Sequence, residues 1–147
     1  MKNIFLVLIF LTLIQCGFKP IFSSKELNFK IESIKSNKKI EVIENRLNNL
    51  NSTNSKYFYN LVIDFSESKS TLSKNSQGKP LLLRIEIKVN LKVIENDNTI
   101  LLKNYLSNFD YQNLDKKFEL SDYEDEIKKN MLDEIASKIL TDLTDLK

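Results

Sequence analysis

Apolar residues recur at every second position in four segments of the chain, a pattern typical of β-strands with one buried face. The most regular segment is LLLRIEIKVNLKVI, residues 81–94, in which apolar and polar side chains alternate throughout. Residues 27–34 and 56–65 show the same alternation, and residues 100–111 show it less regularly. We therefore predict four strands, of which the last three follow one another as two antiparallel hairpins.

Two further segments have apolar residues three and four positions apart, which places those residues on one face of an α-helix. The first, residues 38–51, follows the first strand, and the second, residues 121–143, closes the chain. The apolar stripe of the second consists of Tyr123, Ile127, Met131, Ile135, Ile139 and Leu143. The element order is then β-α-β-β-β-α. Because the apolar face of such a sheet needs a cover, we expect an α+β fold, a two-layer sandwich in which a four-stranded, mostly antiparallel sheet carries both helices on one face.

The densest group of carboxylates lies in SDYEDE, residues 121–126, at the start of the last predicted helix. Ser121 and Glu124 fit the S-x-x-E capping box, in which two side chains satisfy backbone N–H groups of the first turn. Negative charge is also favoured there by the helix dipole. This structural role accounts for the whole cluster, so we prefer it to a hard-cation site or a general acid–base pair.

Residues 66–80 separate the second and third predicted strands and are polar apart from Leu72 and Pro80. We expect a long hairpin loop here, and loops of about that length are usually functional or disordered. The loop contains Lys69, Lys74 and Lys79. These lysines are candidates for contact with an anionic ligand or an acidic partner surface. A solvated loop without a ligand is the alternative.

The N-terminus has the composition of a signal peptide. Lys2 supplies positive charge, and the uncharged run IFLVLIFLTLI, residues 4–14, is shorter than the roughly 20 residues that span a bilayer. LIQC follows, and Cys16 is the only cysteine of the chain. This arrangement resembles the bacterial lipobox, in which the cysteine thiolate takes up a diacylglycerol.

We therefore predict a lipoprotein signal peptide over residues 1–15, with cleavage after Gln15, although Gly, Ala or Ser is usual at that position. Cys16 would then carry an S-diacylglycerol and an N-acyl group. A lipidated tether over residues 16–26 would lead to a single domain, residues 27–147. The alternatives are an uncleaved anchor, or an ordinary signal peptide with a chance cysteine.

Composition excludes several classes of function. The chain has 22 Lys and Arg against 20 Asp and Glu, whereas nucleic-acid binders normally show a clear basic excess. It has no His, and its one Cys is assigned to lipid, so a zinc site or a Cys-His or Ser-His nucleophile is not expected. With two glycines it also has no Gly-rich phosphate loop. We expect no catalytic residues, no metal and no cofactor, and hence a protein that binds or supports something rather than an enzyme.

CGFKPIF, residues 16–22, followed by a β-α-β-β-β-α domain, resembles the LptE family of lipopolysaccharide-assembly lipoproteins of Gram-negative bacteria. The form C-G-F-x-P-[LI]-[YF] is similar to the α-proteobacterial members. Residues 104–140 resemble the C-terminal region of that family, in which a tyrosine-bearing strand precedes a helix with an acidic start and an apolar stripe. Gly17 after Cys16 is compatible with sorting to the outer membrane.

This resemblance implies a lipid-anchored protein on the periplasmic side of the outer membrane. It would sit inside the β-barrel LptD and assist the assembly of lipopolysaccharide at the cell surface, with lipopolysaccharide itself as a further ligand. The alternative is a periplasmic lipoprotein that serves as an auxiliary subunit of an inner-membrane transporter. A shared fold does not separate these two functions.

Overall fold

The computed structural model describes residues 27–49 and 55–146. Its elements are β1 (Phe29–Ser36), α1 (Glu41–Asn48), β2 (Tyr57–Lys74), β3 (Pro80–Glu95), β4 (Asn98–Gln112) and α2 (Lys117–Asp145). The predicted order β-α-β-β-β-α is therefore confirmed. The predicted signal peptide and the whole of the predicted tether, including Cys16, lie outside the described residues. Neither helix of the described part combines the length and the apolar character needed to cross a membrane.

The four strands form one sheet in the order β1-β2-β3-β4. β1 runs parallel to β2, and the chain passes through α1 between them; the β2–β3 and β3–β4 pairs are antiparallel. The sheet is thus mostly antiparallel, as predicted. Asn96 and Asp97, with φ of 47° and 62°, form the two-residue connection between β3 and β4. Asn and Asp adopt such left-handed conformations more readily than most residues, which suits a tight hairpin.

One face of the sheet forms the hydrophobic core with the two helices. β3 contributes every second residue to this inner face, and six of its seven predicted apolar positions are buried: Leu83, Ile85, Ile87, Val89, Leu91 and Val93. The seventh, Leu81, is 50% exposed at the start of the strand. The alternation in the sequence therefore predicted the register of this strand correctly, except at its first residue.

α2 covers much of the inner face and starts earlier than predicted. It has 29 residues, which corresponds to about 44 Å. Its buried residues are Ile127, Met131, Ile135, Ala136, Ile139, Leu140 and Leu143. The helix begins at Lys117, and Ser121 lies inside it, so the predicted capping box is wrong. Leu120 explains the earlier start, because it packs against the core and its N–H donates to the Lys116 carbonyl at 3.0 Å.

The predicted loop over residues 66–80 is also wrong, because most of it is strand. β2 continues to Lys74 and pairs with β3 along this whole extension, with irregularities near Thr71 and Ser73. The pairing uses backbone groups, so polar side chains do not prevent it. Only residues 75–79 form the turn, where the Asn75 side chain accepts hydrogen bonds from the N–H groups of Gln77 and Lys79 at 3.0 and 2.9 Å.

We predict that Val89→Asp lowers the free energy of unfolding by more than about 3 kcal/mol, because it places an unpaired charge at a position with 0% exposure. Asn104→Asp is the matched control. It adds the same charge at the exposed position of β4 next to Asn90, and should cost less than about 0.5 kcal/mol. Urea unfolding measures both, and equal costs would contradict the strand register.

Candidate interaction site

Lys69, one of the three lysines predicted to bind an anion, is engaged in holding α2 to the sheet. Its ammonium group pairs with the Glu124 carboxylate of α2. The same Glu124 oxygen accepts a hydrogen bond from the Tyr111 hydroxyl at 2.7 Å. Lys69 Nζ also lies 5.9 Å from the centroid of the Tyr111 ring. We call these three residues the Glu124 cluster.

A second cluster of the same chemistry lies nearer the other end of α2. Asp142 accepts a hydrogen bond from the Tyr105 hydroxyl at 2.5 Å and pairs with Lys103. Lys103 Nζ lies 5.9 Å from the Tyr105 ring centroid. The positions of Glu124 and Asp142 in the helix correspond to an axial separation of about 27 Å. The Asp142 cluster and the Glu124 cluster therefore fix α2 on the sheet at two distant points.

Burial and hydrogen bonding together set the protonation of these groups. Burial raises the pKa of Glu124, but the hydrogen bonds from Lys69 and Tyr111 and the positive charges of Lys69 and Lys128 together lower it by more, so the pKa lies below its ordinary 4.5. Burial also raises the pKa of Asp142, but the hydrogen bonds from Lys103 and Tyr105 and the charge of Lys103 lower it by more, so it lies below the ordinary 3.8. Burial, with the neighbouring carboxylate, raises the pKa of the Tyr105 and Tyr111 phenols. At neutral pH each cluster thus contains an ionised carboxylate and a protonated hydroxyl donor.

The other two predicted lysines have different surroundings. Lys79 forms an ion pair with Asp115 in which both side chains are mostly exposed, an arrangement that contributes little to stability. Lys74 is exposed at the end of β2 and has no ion-pair partner in the part of the chain that the structure describes. Contact of the three predicted lysines with an anion or a barrel stays a prediction. The ammonium group of Lys69 already pairs with Glu124.

No described helix or strand packs on the face of the sheet opposite the helices, and we call it the open face. The pairing of the strands places Lys35, Val62, Lys92 and Leu102 side by side across all four strands. Four residues further along β2, a second row on the same face contains Ser66, Lys88 and Leu106. Within the described ranges, neither Lys35 nor Lys92 forms an ion pair. The open face therefore places cationic side chains next to large apolar ones.

The apolar part of the open face was not predicted, because alternation in the sequence implies polar side chains opposite the buried ones. Leu102 is 72% exposed and Leu106 is 55% exposed. Both leucines occupy positions of β4 at which alternation would place polar side chains. Their presence explains why the alternation in β4 is less regular than in β3. Toward the other end of this face the surface is ionic, with Arg84 donating two hydrogen bonds to Asp110 at 2.6 and 2.8 Å.

Solved structures of bacterial lipoproteins share this fold, although no family profile matches the chain and no curated protein sequence gives a significant match. Rare lipoprotein B from Shewanella oneidensis is 18% identical, with a TM-score of 0.61 over 78% of this chain and 92% of its own. A minor lipoprotein from Acinetobacter baumannii is 16% identical, with a TM-score of 0.62 over 80% and 91%. Lipoprotein B from Nitrosomonas europaea is 18% identical, with a TM-score of 0.62 over 84% and 88%. At these identities the likeness establishes the fold.

Glu124→Gln should flatten the dependence of stability on acid pH. Because the pKa of Glu124 is lowered in the folded protein, its ionised form stabilises the fold above the unfolded pKa of 4.5. That stabilisation is lost as the pH falls from about 5 through the folded pKa. The parent protein should therefore lose stability more steeply over this window than the variant does.

Asp97→Asn, in the exposed β3–β4 turn, is the control and should keep the parental slope. Urea unfolding at a series of pH values gives the comparison, and parallel curves for parent and Glu124→Gln would contradict the assigned role.

Proposed function

We propose that this chain is a lipid-anchored protein of the outer membrane, on its periplasmic side, that seats in the lumen of the LptD β-barrel. There it supports the barrel and assists the assembly of lipopolysaccharide at the cell surface. The observation that carries this proposal is the open face, a whole side of the sheet left uncovered by the helices. Lumens of large outer-membrane barrels are polar, and the lysines, amides and paired ions of this face suit such a lumen. The exposed Leu102 and Leu106 on the same face are proposed to contact lipid.

The anchor proposed for this function is the predicted N-terminal lipid. Cleavage after Gln15 would leave Cys16 as the first residue, carrying three acyl chains. Each buried methylene adds about 0.8 kcal/mol to membrane affinity, and two chains already give stable attachment. The fold shared with lipoproteins from three bacterial species supports this part of the proposal.

The role is proposed to be binding and support rather than catalysis. The most strongly perturbed groups in the described part of the chain are Tyr105 and Tyr111, and both hydroxyls are used to hold α2 on the sheet. Their carboxylate partners are accounted for by the same contacts. The perturbed pKa values that would elsewhere suggest an active site thus have a structural explanation here.

Lipopolysaccharide is proposed as a direct ligand of the open face. Lys35 and Lys92 alternate there with Val62 and Leu102. Ammonium groups suit the phosphates of an anionic lipid, and the adjacent apolar side chains suit its acyl chains. Lys74 and Lys79, at the end of the β2–β3 hairpin, are proposed to meet acidic groups of the barrel or lipid phosphates. Lys69 is left out, because its ammonium group is taken by Glu124.

We predict that the N-terminal peptide of the mature protein begins at acylated Cys16, and mass spectrometry of that peptide checks this. Cys16→Ser should remain unacylated and leave the membrane fraction after cell lysis, while its thermal unfolding stays close to that of the parent. Detection of an unmodified Cys16 preceded by residues 1–15 would contradict the lipoprotein assignment.

We further predict that Lys35→Glu combined with Lys92→Glu reduces co-purification of a large β-barrel in mild detergent several-fold. The reversal replaces two cationic side chains of the open face by anionic ones. Both residues are exposed, so stability should change by less than about 1 kcal/mol. The control is Lys117→Glu combined with Lys129→Glu, which makes the same change of charge at exposed positions of α2.

Equal recovery of the barrel with both double variants would contradict the assignment of the open face to the lumen. Fractionation of the parent with the inner membrane, without a barrel, would instead support the auxiliary transporter subunit.

A further inference from the structure

A groove of about 420 Å³ lies between β4 and α2, on the helix side of the sheet at its β4 edge. Ile127 and Met131 of the helix are among its lining residues and are only 6% and 5% exposed. Phe109 of β4 and Tyr123 of α2 also line it and are 43% and 40% exposed. The groove therefore presents a largely apolar surface that two exposed aromatic rings help to shape.

β4 is the last strand of the sheet, so half of its backbone polar groups face outward without a strand partner among the described residues. Proteins usually protect such edges with Lys, Pro or a bulge. Residues 104–112 of β4 contain neither Lys nor Pro, and their pairing with β3 is regular. This stretch includes Phe109 at the groove. A regular, unprotected edge thus runs directly beside an apolar groove.

The charges at the groove are acidic. Glu126 and Glu134 line it together with neutral side chains, and no Lys or Arg is among the lining residues. Glu126 has no ion-pair partner within residues 27–49 and 55–146. Glu134 pairs with Lys138 one turn further along α2, and both side chains are more than half exposed. A partner that lies in the groove is therefore favoured if it carries positive charge.

We propose that this groove binds an extended segment of another protein, which adds to β4 as a fifth strand. Backbone hydrogen bonds to the edge of β4 would supply affinity, as in other cases of strand addition. One apolar side chain of the segment would enter the groove, and Lys or Arg side chains two residues before and after it, on the same face of the added strand, would meet Glu126 and Glu134. A second copy of this chain is disfavoured as the occupant, because a two-fold axis beside β4 would bring two acidic rims together. This inference does not depend on the proposed barrel partner.

The test measures the binding of a fluorescent peptide, Thr-Lys-Thr-Phe-Thr-Lys-Thr, which places Phe and both Lys on one face of an extended strand, to the full chain in a neutral detergent by fluorescence anisotropy. Two matched peptides separate the contribution of backbone hydrogen bonds from that of the charged side chains. One is N-methylated at every backbone amide, which removes the N–H donors on both edges of the strand but keeps the side chains, and the other has Glu in place of each Lys. We expect both to bind at least about tenfold more weakly than the parent peptide. Equal binding of the N-methylated peptide would overturn strand addition.

Variants of the protein locate the site. Phe109→Ala and Glu126→Lys should each weaken binding by about tenfold. The controls are Leu106→Ala on the open face of the same strand and Lys129→Glu on α2, which should leave binding unchanged. The substituted side chains are all exposed, so thermal unfolding should show every variant folded. Weakening by Leu106→Ala but not by Phe109→Ala would overturn the assignment to the groove. A concentration-dependent dimer that Phe109→Ala abolishes would assign the groove to a second copy instead.

Discussion

The fold depends on the burial of one face of a four-stranded sheet beneath two helices. β3 alone places six large apolar residues on that face, and each contributes roughly 1.5–3 kcal/mol when removed from water. Apolar burial is non-directional, so it would permit α2 to shift along the sheet. The Glu124 and Asp142 clusters supply the direction, since each joins a helical carboxylate to a tyrosine hydroxyl and a lysine ammonium group of the sheet. Apolar burial thus stabilises the layer, and the two polar clusters determine where the helix lies.

Covering only one face leaves two surfaces available for partners, and they differ in chemistry. The open face combines Lys35 and Lys92, which form no ion pair within the described residues, with exposed Val62, Leu102 and Leu106. This combination suits a polar lumen and an anionic amphiphile. The edge of β4 offers backbone hydrogen bonds beside an acidic, largely apolar groove, which suits an extended basic segment. These surfaces meet at β4, whose alternate side chains point to one or the other. A single strand thereby contributes to both proposed interactions.

The sequence predicted the elements whose side chains alone decide their structure. β3 and α2 could be predicted because their apolar residues keep the period of a strand and of a helix, respectively, over many residues. The extension of β2 from Ser66 to Lys74 could not, since it forms through backbone pairing with β3 and its own side chains are polar. The start of α2 at Lys117 depends on Leu120 packing against a core that is assembled from distant segments.

The candidate site was harder to predict for the same reason. Lys69 and Glu124 are 55 residues apart in the chain, so their pairing is visible only in the folded protein. The tyrosines did carry a usable signal, because Tyr105 and Tyr111 occupy inward positions of β4 and a buried hydroxyl needs a hydrogen-bond partner. The open face is proposed to meet the wall of a β-barrel. Photo-crosslinking in cells tests this contact, with a benzophenone amino acid at Leu102 and, for comparison, at Phe118 on α2. We expect a crosslink from position 102 to a large outer-membrane β-barrel and a much weaker one from position 118. Crosslinks from position 118 alone, or from position 102 to an inner-membrane transporter, would contradict it.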